Sequence, residues 1–267
     1  MLVYAGCYLA LSPPTFAIVD EDAYLTQALL FRSGHLSYDS SPIPPPHMSV
    51  APAGRTVSKY PPGNALFLVP FTLPGWRWVF LSGLLLSLAG TLLFAAVLRR
   101  LCPDAEPALA LLYLGYPTVV VYSRTIMSDL LAATLVLAAF YCLLRGRRWL
   151  FPAGLALGAA CLVRYSNAAL APVFALLALH RGERGRGILL LFGGLLPAAV
   201  LVLGYNSFAF GGPLRFPMQA TGEFGLRFAG RNLVYYASAL LLWYPLLLFA
   251  PLFAGRGRRV LLGLPPL

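Results

Sequence analysis

Charge is scarce in this chain. Of its 267 residues only 11% are charged and 59% are hydrophobic, whereas a soluble domain carries about 45–50% apolar and roughly 25% charged residues. So little polar material cannot cover a surface, so lipid is the expected solvent. Acidic residues are rarer still, nine against twenty basic ones, and Lys59 is the only lysine. Cysteine is sparse too. Cys7, Cys102, Cys142 and Cys161 lie in or at the edges of apolar runs without C-x-x-C spacing, which excludes a disulfide framework or a cysteine metal site and reads as small packing residues. No repeat of roughly 20–50 residues is present, which excludes a solenoid. No Lys or Arg precedes the first apolar run, so a cleaved signal peptide fits poorly.

What is present is a series of apolar runs, several near the roughly 20 residues that a helix needs to cross the hydrocarbon core. They predict an all-α polytopic membrane bundle of about eight spans, at 1–19, 76–98, 106–122, 129–144, 149–163, 168–180, 187–205 and 233–254. The fifth and sixth are short enough to tilt or re-enter. The net charge of +11 would suggest nucleic acid in a soluble protein. Here the arginines cluster between runs: Arg99-Arg100, Arg145/147/148, Arg181/184/186 and Arg256/258/259 follow spans two, four, six and eight. That pattern is membrane orientation, with the N-terminus cytoplasmic and both long polar loops, 20–75 and the stretch between spans seven and eight, outside. No nucleic-acid partner is expected.

The first outer loop, 20–75, opens V-D-E-D-A-Y and closes S-K-Y-P-P-G. A short helix is expected from Asp22 to Ser33, its apolar stripe of Tyr24, Leu25, Ala28, Leu29 and Phe31 lying along the membrane surface, followed by an extended S-P-I-P-P-P stretch. Ionisable groups where spans meet the outer surface are costly unless paired or hydrated, which points to function. For Asp22, Asp39 and Glu223 the plainer reading, solvated loop charge, is preferred. Asp20 and Glu21 begin at the membrane surface itself. Adjacent carboxylates repel, so one of the pair should hold its proton more tightly, as a general base does. Arg164 and Arg124 are candidate phosphate ligands, with snorkelling at a helix end as the equal alternative. His35 and His47 read as loop residues. Tyr60-Pro61-Pro62 reads as a stiffener that holds Lys59, and Tyr235, Tyr236, Trp243 and Tyr244 as packing and interface anchors. D-E-D is the one place where carboxylates could hold a divalent ion.

In this order and placement, the apolar span, D-E followed by Tyr24, the K-Y-P-P-G loop and the later segments S-R-T-I-M-S-D-L-L-A-A-T-L, G-L-A-L-G-A-A-C-L-V-R-Y-S-N and Y-N-S-F-A-F-G-G-P-L resemble the GT-C membrane glycosyltransferases. They resemble in particular the protein mannosyltransferase and aminoarabinose transferase-like group of bacterial membrane enzymes. The resemblance implies a single transmembrane domain over 1–267 in the bacterial plasma membrane. It also implies transfer of a sugar from a polyprenyl-phosphate donor to an acceptor hydroxyl of unknown type (protein, lipid or glycan) on the outer face, without a metal or other cofactor. It makes Asp20 the base that deprotonates the acceptor, Glu21 a neighbour that helps place it, Lys59 a ligand of the donor phosphate, and Asp129 and Tyr24 supporting residues.

Two rival readings stand beside it. A transporter or flippase of a lipid-linked precursor would place charge near the midplane and show internal repeats; here the charge sits at the outer rim. An inactive fragment is the other, since such enzymes usually have more spans than this chain and its ends are expected to be truncated.

Overall fold

The computed structural model describes residues 1–13, 15–39, 49–50, 55–216 and 228–243. The chain divides into two compact units, Met1–Arg215 and Phe216–Leu267, where the sequence predicts one. The protein is mostly helical, with eleven α-helices among the described residues.

In the first unit, two helical stretches are long and apolar enough to cross a membrane: Trp76–Leu101 and Arg186–Phe210. The former is a 3-10 turn, Trp76–Phe80, leading into α4 (Leu81–Leu101). The latter is α10, which ends at Gly211 in the left-handed region (φ 75), the C-terminal stop that glycine makes at least cost. Along α10, Leu189, Leu196, Val200 and Leu201 are all exposed, an apolar face of the kind that marks a lipid or protein contact.

Among the described residues, the other expected spans form shorter helices. The run 1–19 yields only α1 (Leu2–Ala10). The run 106–122 is broken into a 3-10 turn, α5 (Leu112–Gly115) and α6 (Pro117–Ser123). Pro117 causes the break: it forces the preceding Tyr116 into extended backbone and supplies no N–H to continue a helix. The runs at 129–144, 149–163 and 168–180 appear as α7 (Ser128–Leu144), α8 (Leu150–Val163) and α9 (Leu170–His180). In the second unit α11 (Ala229–Trp243) covers the start of the eighth expected span, with Tyr235 and Tyr236 exposed and their rings T-shaped, centroids 5.5 Å apart. Residues 244–254, Tyr244, the arginines at 256, 258 and 259, Glu223, His47 and the S-P-I-P-P-P stretch lie outside the described residues.

The described residues of 20–75 form more regular structure than the long loop expected. Helix α2 spans Val19–Arg32, starting three residues before the predicted Asp22. A small antiparallel sheet places β3 (Arg55–Ser58) between β1 (Tyr38–Asp39) and β2 (Ser49–Val50). Helix α3 (Pro62–Thr72) follows, with Pro62 at its first position, where a missing N–H costs nothing.

Helices α8 and α10 approach most closely through small residues. Gly154 and Gly158 form a G-x-x-x-G pair facing Gly194 and Ala198, and a Cβ on Gly154 would stand 1.9 Å from the Leu191 carbonyl oxygen. In lipid, helix association rests on such close van der Waals packing. Gly154→Val is expected to force α8 and α10 apart and destabilise the protein by about 3 kcal/mol or more. Thermal unfolding in detergent reads the effect, and a variant that melts with the parent would show that this contact does not hold the bundle.

Candidate functional site

Asp20 occupies the second position of α2 and Tyr24 lies one turn on, so both side chains share a face. Asp20 is half-buried and Tyr24 buried. The Tyr24 ring packs on that of Tyr60 with centroids 4.6 Å apart. Its hydroxyl donates to Ser128 Oγ at 3.0 Å. The Tyr60 hydroxyl donates to the Asp20 carboxylate, and the Lys59 ammonium stands 5.6 Å from the centroid of the same ring. Beside Ser128, the Asp129 carboxylate and the Arg164 guanidinium pair at 2.5 Å, 30% and 40% exposed, and Arg164 also reaches Ser128 Oγ at 3.5 Å. Four stretches of chain thus bring Asp20, Tyr24, Lys59, Asp129 and Arg164 to one place. Burial pushes the Tyr24 hydroxyl up to about 12. Burial and then the bond to Asp20 raise that of Tyr60. Both phenols therefore stay protonated at neutral pH and act as donors.

The scaffold beneath explains why these residues meet. Glu21 is fully buried. Its Oε1 accepts from the backbone N–H groups of Ile18 (3.1 Å) and Ala17 (3.2 Å), the carboxylate half of a capping box. Its Oε2 accepts from the Ile126 N–H at 3.3 Å. Asn64, at the start of α3, donates to the Ile126 carbonyl at 2.9 Å. Both backbone groups of Ile126 are therefore held, which fixes the link that delivers Ser128 and Asp129. Gly63 has no space for a side chain: a Cβ there would lie 2.6 Å from the Leu162 carbonyl. The close approach docks α3 against the end of α8, next to Arg164. Gln27 donates to the Tyr60 carbonyl at 3.4 Å and to the Tyr205 hydroxyl at 3.1 Å, and Tyr165 donates to Asn206 at 2.8 Å. Those bonds tie the end of α10 to the same platform.

Two expected site residues stand elsewhere. Arg124 donates to the Leu11 carbonyl at the end of α1 and makes no contact with the cluster, so it is not placed as a second phosphate ligand there. Glu21 has no exposed surface with which to touch an acceptor; any influence it has runs through the position of α2. One carboxyl of the pair is raised, that of Glu21, and the cause is burial, opposed by its backbone bonds, rather than the repulsion expected from the sequence.

The three carboxylates of D-E-D diverge, because successive helix positions point about 100° apart. Asp22 is exposed, Glu21 buried and Asp20 turned toward Tyr60. His35 sits beside Ser33 Oγ at 3.1 Å, at the end of α2. The residues that sequence reasoning missed are Tyr60 as a partner of Asp20, Ser128 as the junction between Tyr24 and Arg164, and Asn64.

At the far end of α7 three arginine clusters converge. Arg100 and Arg181 both donate to the Leu144 carbonyl, at 3.3 and 3.4 Å, and the Arg145 guanidinium stacks on Trp149 at 3.6 Å. The acidic cluster and the arginine clusters therefore lie at opposite ends of one helix. Chemically, the cluster around Asp20 offers a carboxylate oriented by a phenol, with Lys59 against the ring of that phenol and Arg164 beside Ser128, the partner of Tyr24. No protein-family model, curated protein or solved structure matches the chain.

Proposed function

We propose that the protein is an integral membrane glycosyltransferase that moves a sugar from a polyprenyl-phosphate carrier to an acceptor hydroxyl. The observation that carries this reading is the meeting of Asp20, Lys59 and the Asp129–Arg164 pair around Tyr24 and Tyr60. The apolar faces of α4 and α10 support a membrane setting, and the arginines gathered at the opposite end of α7 support a cytoplasmic location for that end. The site then faces outward, in a bacterial plasma membrane.

In this reading the acceptor hydroxyl gives its proton to Asp20 as its oxygen attacks the anomeric carbon. The bond from that carbon to the carrier's phosphate breaks, and the electron pair leaves with the phosphate. Lys59 neutralises the charge that grows on the leaving group, most strongly where water is excluded. Arg164, already engaged by Asp129, offers its remaining N–H groups to the same phosphate. Tyr60 holds the carboxylate of Asp20 in one orientation.

Lys59→Gln removes the cation that stands against the Tyr60 ring. It is expected to lower kcat/KM for the donor by about 10²–10³-fold, with KM for the acceptor unchanged. Initial rates at varied donor concentration in membranes carrying the full chain test this. Unaltered donor kinetics would show that Lys59 does not touch the phosphate.

A further inference from the structure

The arginines at the end of α7 are held in a way that leaves their donors open. A guanidinium has five N–H donors. Arg100 and Arg181 each spend one on the Leu144 carbonyl, so the two groups stand side by side over a single acceptor. Arg145 is fixed by its faces, 3.6 Å over Trp149 and 5.7 Å from the centroid of Tyr141, and donates to no acceptor among the described residues. Stacking occupies the plane of a guanidinium and leaves its edge free for a bidentate oxyanion. The acids nearest in sequence, Asp104, Glu106 and Glu183, pair with none of these arginines, since the one ion pair among the described residues is Arg164–Asp129. Like charges from three helix ends are thus brought together without a counter-ion from the described residues, beside a tryptophan and at the edge of an apolar bundle.

We propose that Arg100, Arg145 and Arg181 form a binding site for the phosphate headgroup of an anionic phospholipid, at the end of the bundle opposite the Asp20 cluster. The site would bridge the ends of α4 and α7 and the turn after α9, so that a bound headgroup clamps three helices. Juxtamembrane arginine groups take such lipids by charge, and pockets between helices add specificity for the headgroup. The inference does not depend on the reaction assigned to the other end.

The test is the melting midpoint of the purified full chain in neutral detergent, with phosphatidylglycerol, phosphatidylcholine or inorganic phosphate added. Phosphatidylglycerol should raise the midpoint by several degrees and the other two should not. In Arg100→Gln/Arg181→Gln, and separately in Arg145→Gln, most of the difference between the two lipids should vanish. Each variant is compared with itself in the two lipids, so a general loss of stability does not mimic the result. Native mass spectrometry supplies a second readout, in which the parent should retain phosphatidylglycerol over phosphatidylcholine and the variants should retain both alike. Equal stabilisation by phosphatidylcholine would assign the effect to acyl chains. An equal shift with inorganic phosphate would mean a site for free anions, and variants that keep the full lipid preference would remove these arginines from it. Each of these three results overturns the proposal.

Discussion

Glu21→Ala is expected to cost roughly 3–5 kcal/mol of stability, because it strips the acceptor from three backbone N–H groups, one of them buried and the other two part-buried. Those groups belong to Ala17, Ile18 and Ile126, so the loss loosens both the start of α2 and the link into α7. Against the 5–15 kcal/mol that a domain typically has in hand, the change should appear as low yield and a sharply lowered melting midpoint. Glu21→Gln keeps one acceptor oxygen and should cost less, about 1–3 kcal/mol. The pH response has a definite sign. Burial holds the Glu21 carboxyl above its ordinary 4.5, so the folded state binds the proton more tightly than the unfolded chain. Stability from this group is then fully present below the ordinary value, falls as pH rises toward the raised value, and is level above it. Glu21→Gln should lack that fall. Melting curves across this range for parent and variant decide the matter, and identical slopes would contradict the geometry given for Glu21.

The adjacent carboxylate should behave in the opposite way. Asp20→Asn is expected to lower sugar transfer by about 10²–10⁴-fold, the usual contribution of a positioned base. Its stability should stay within about 1 kcal/mol of the parent, since Asp20 is half-buried and contributes mainly by facing the dipole of α2. Asn retains the oxygen that accepts from Tyr60 but cannot take up the acceptor's proton. Two neighbouring acids that separate cleanly, one by rate and one by stability, would be hard to explain as loop charges. An Asp20→Asn enzyme of full rate would leave the cluster without a base.

Much of this arrangement was legible in the residues, and the gaps have physical causes. The long helices α4 and α10 announce themselves by length and hydropathy alone, and α7 begins and ends within one residue of its predicted bounds. Helix α3 escaped notice because N-A-L-F-L-V-P-F lies between prolines and is too short to read as a span. The break at Pro117 was readable from the proline itself, which the apolar run around it masked. Within the site, Asp20, Tyr24, Lys59, Asp129 and Arg164 were all named from sequence, and the fold brings them together. Arg124 looked equivalent to Arg164, both being arginines beside apolar runs. Which way each points depends on the carbonyl of Leu11 and the carboxylate of Asp129, and no local pattern encodes either partner. The separate fates of Asp20 and Glu21 follow from the 100° step of a helix once its start is placed at Val19 rather than Asp22.

The most direct measurement is transfer of label from radiolabelled polyprenyl-phosphate sugars, in membranes carrying the full chain or Asp20→Asn at matched expression. On this reading label reaches an acceptor fraction with the parent chain and stays on the carrier with the variant. Equal transfer by both, or no transfer of any sugar by the parent, would contradict it.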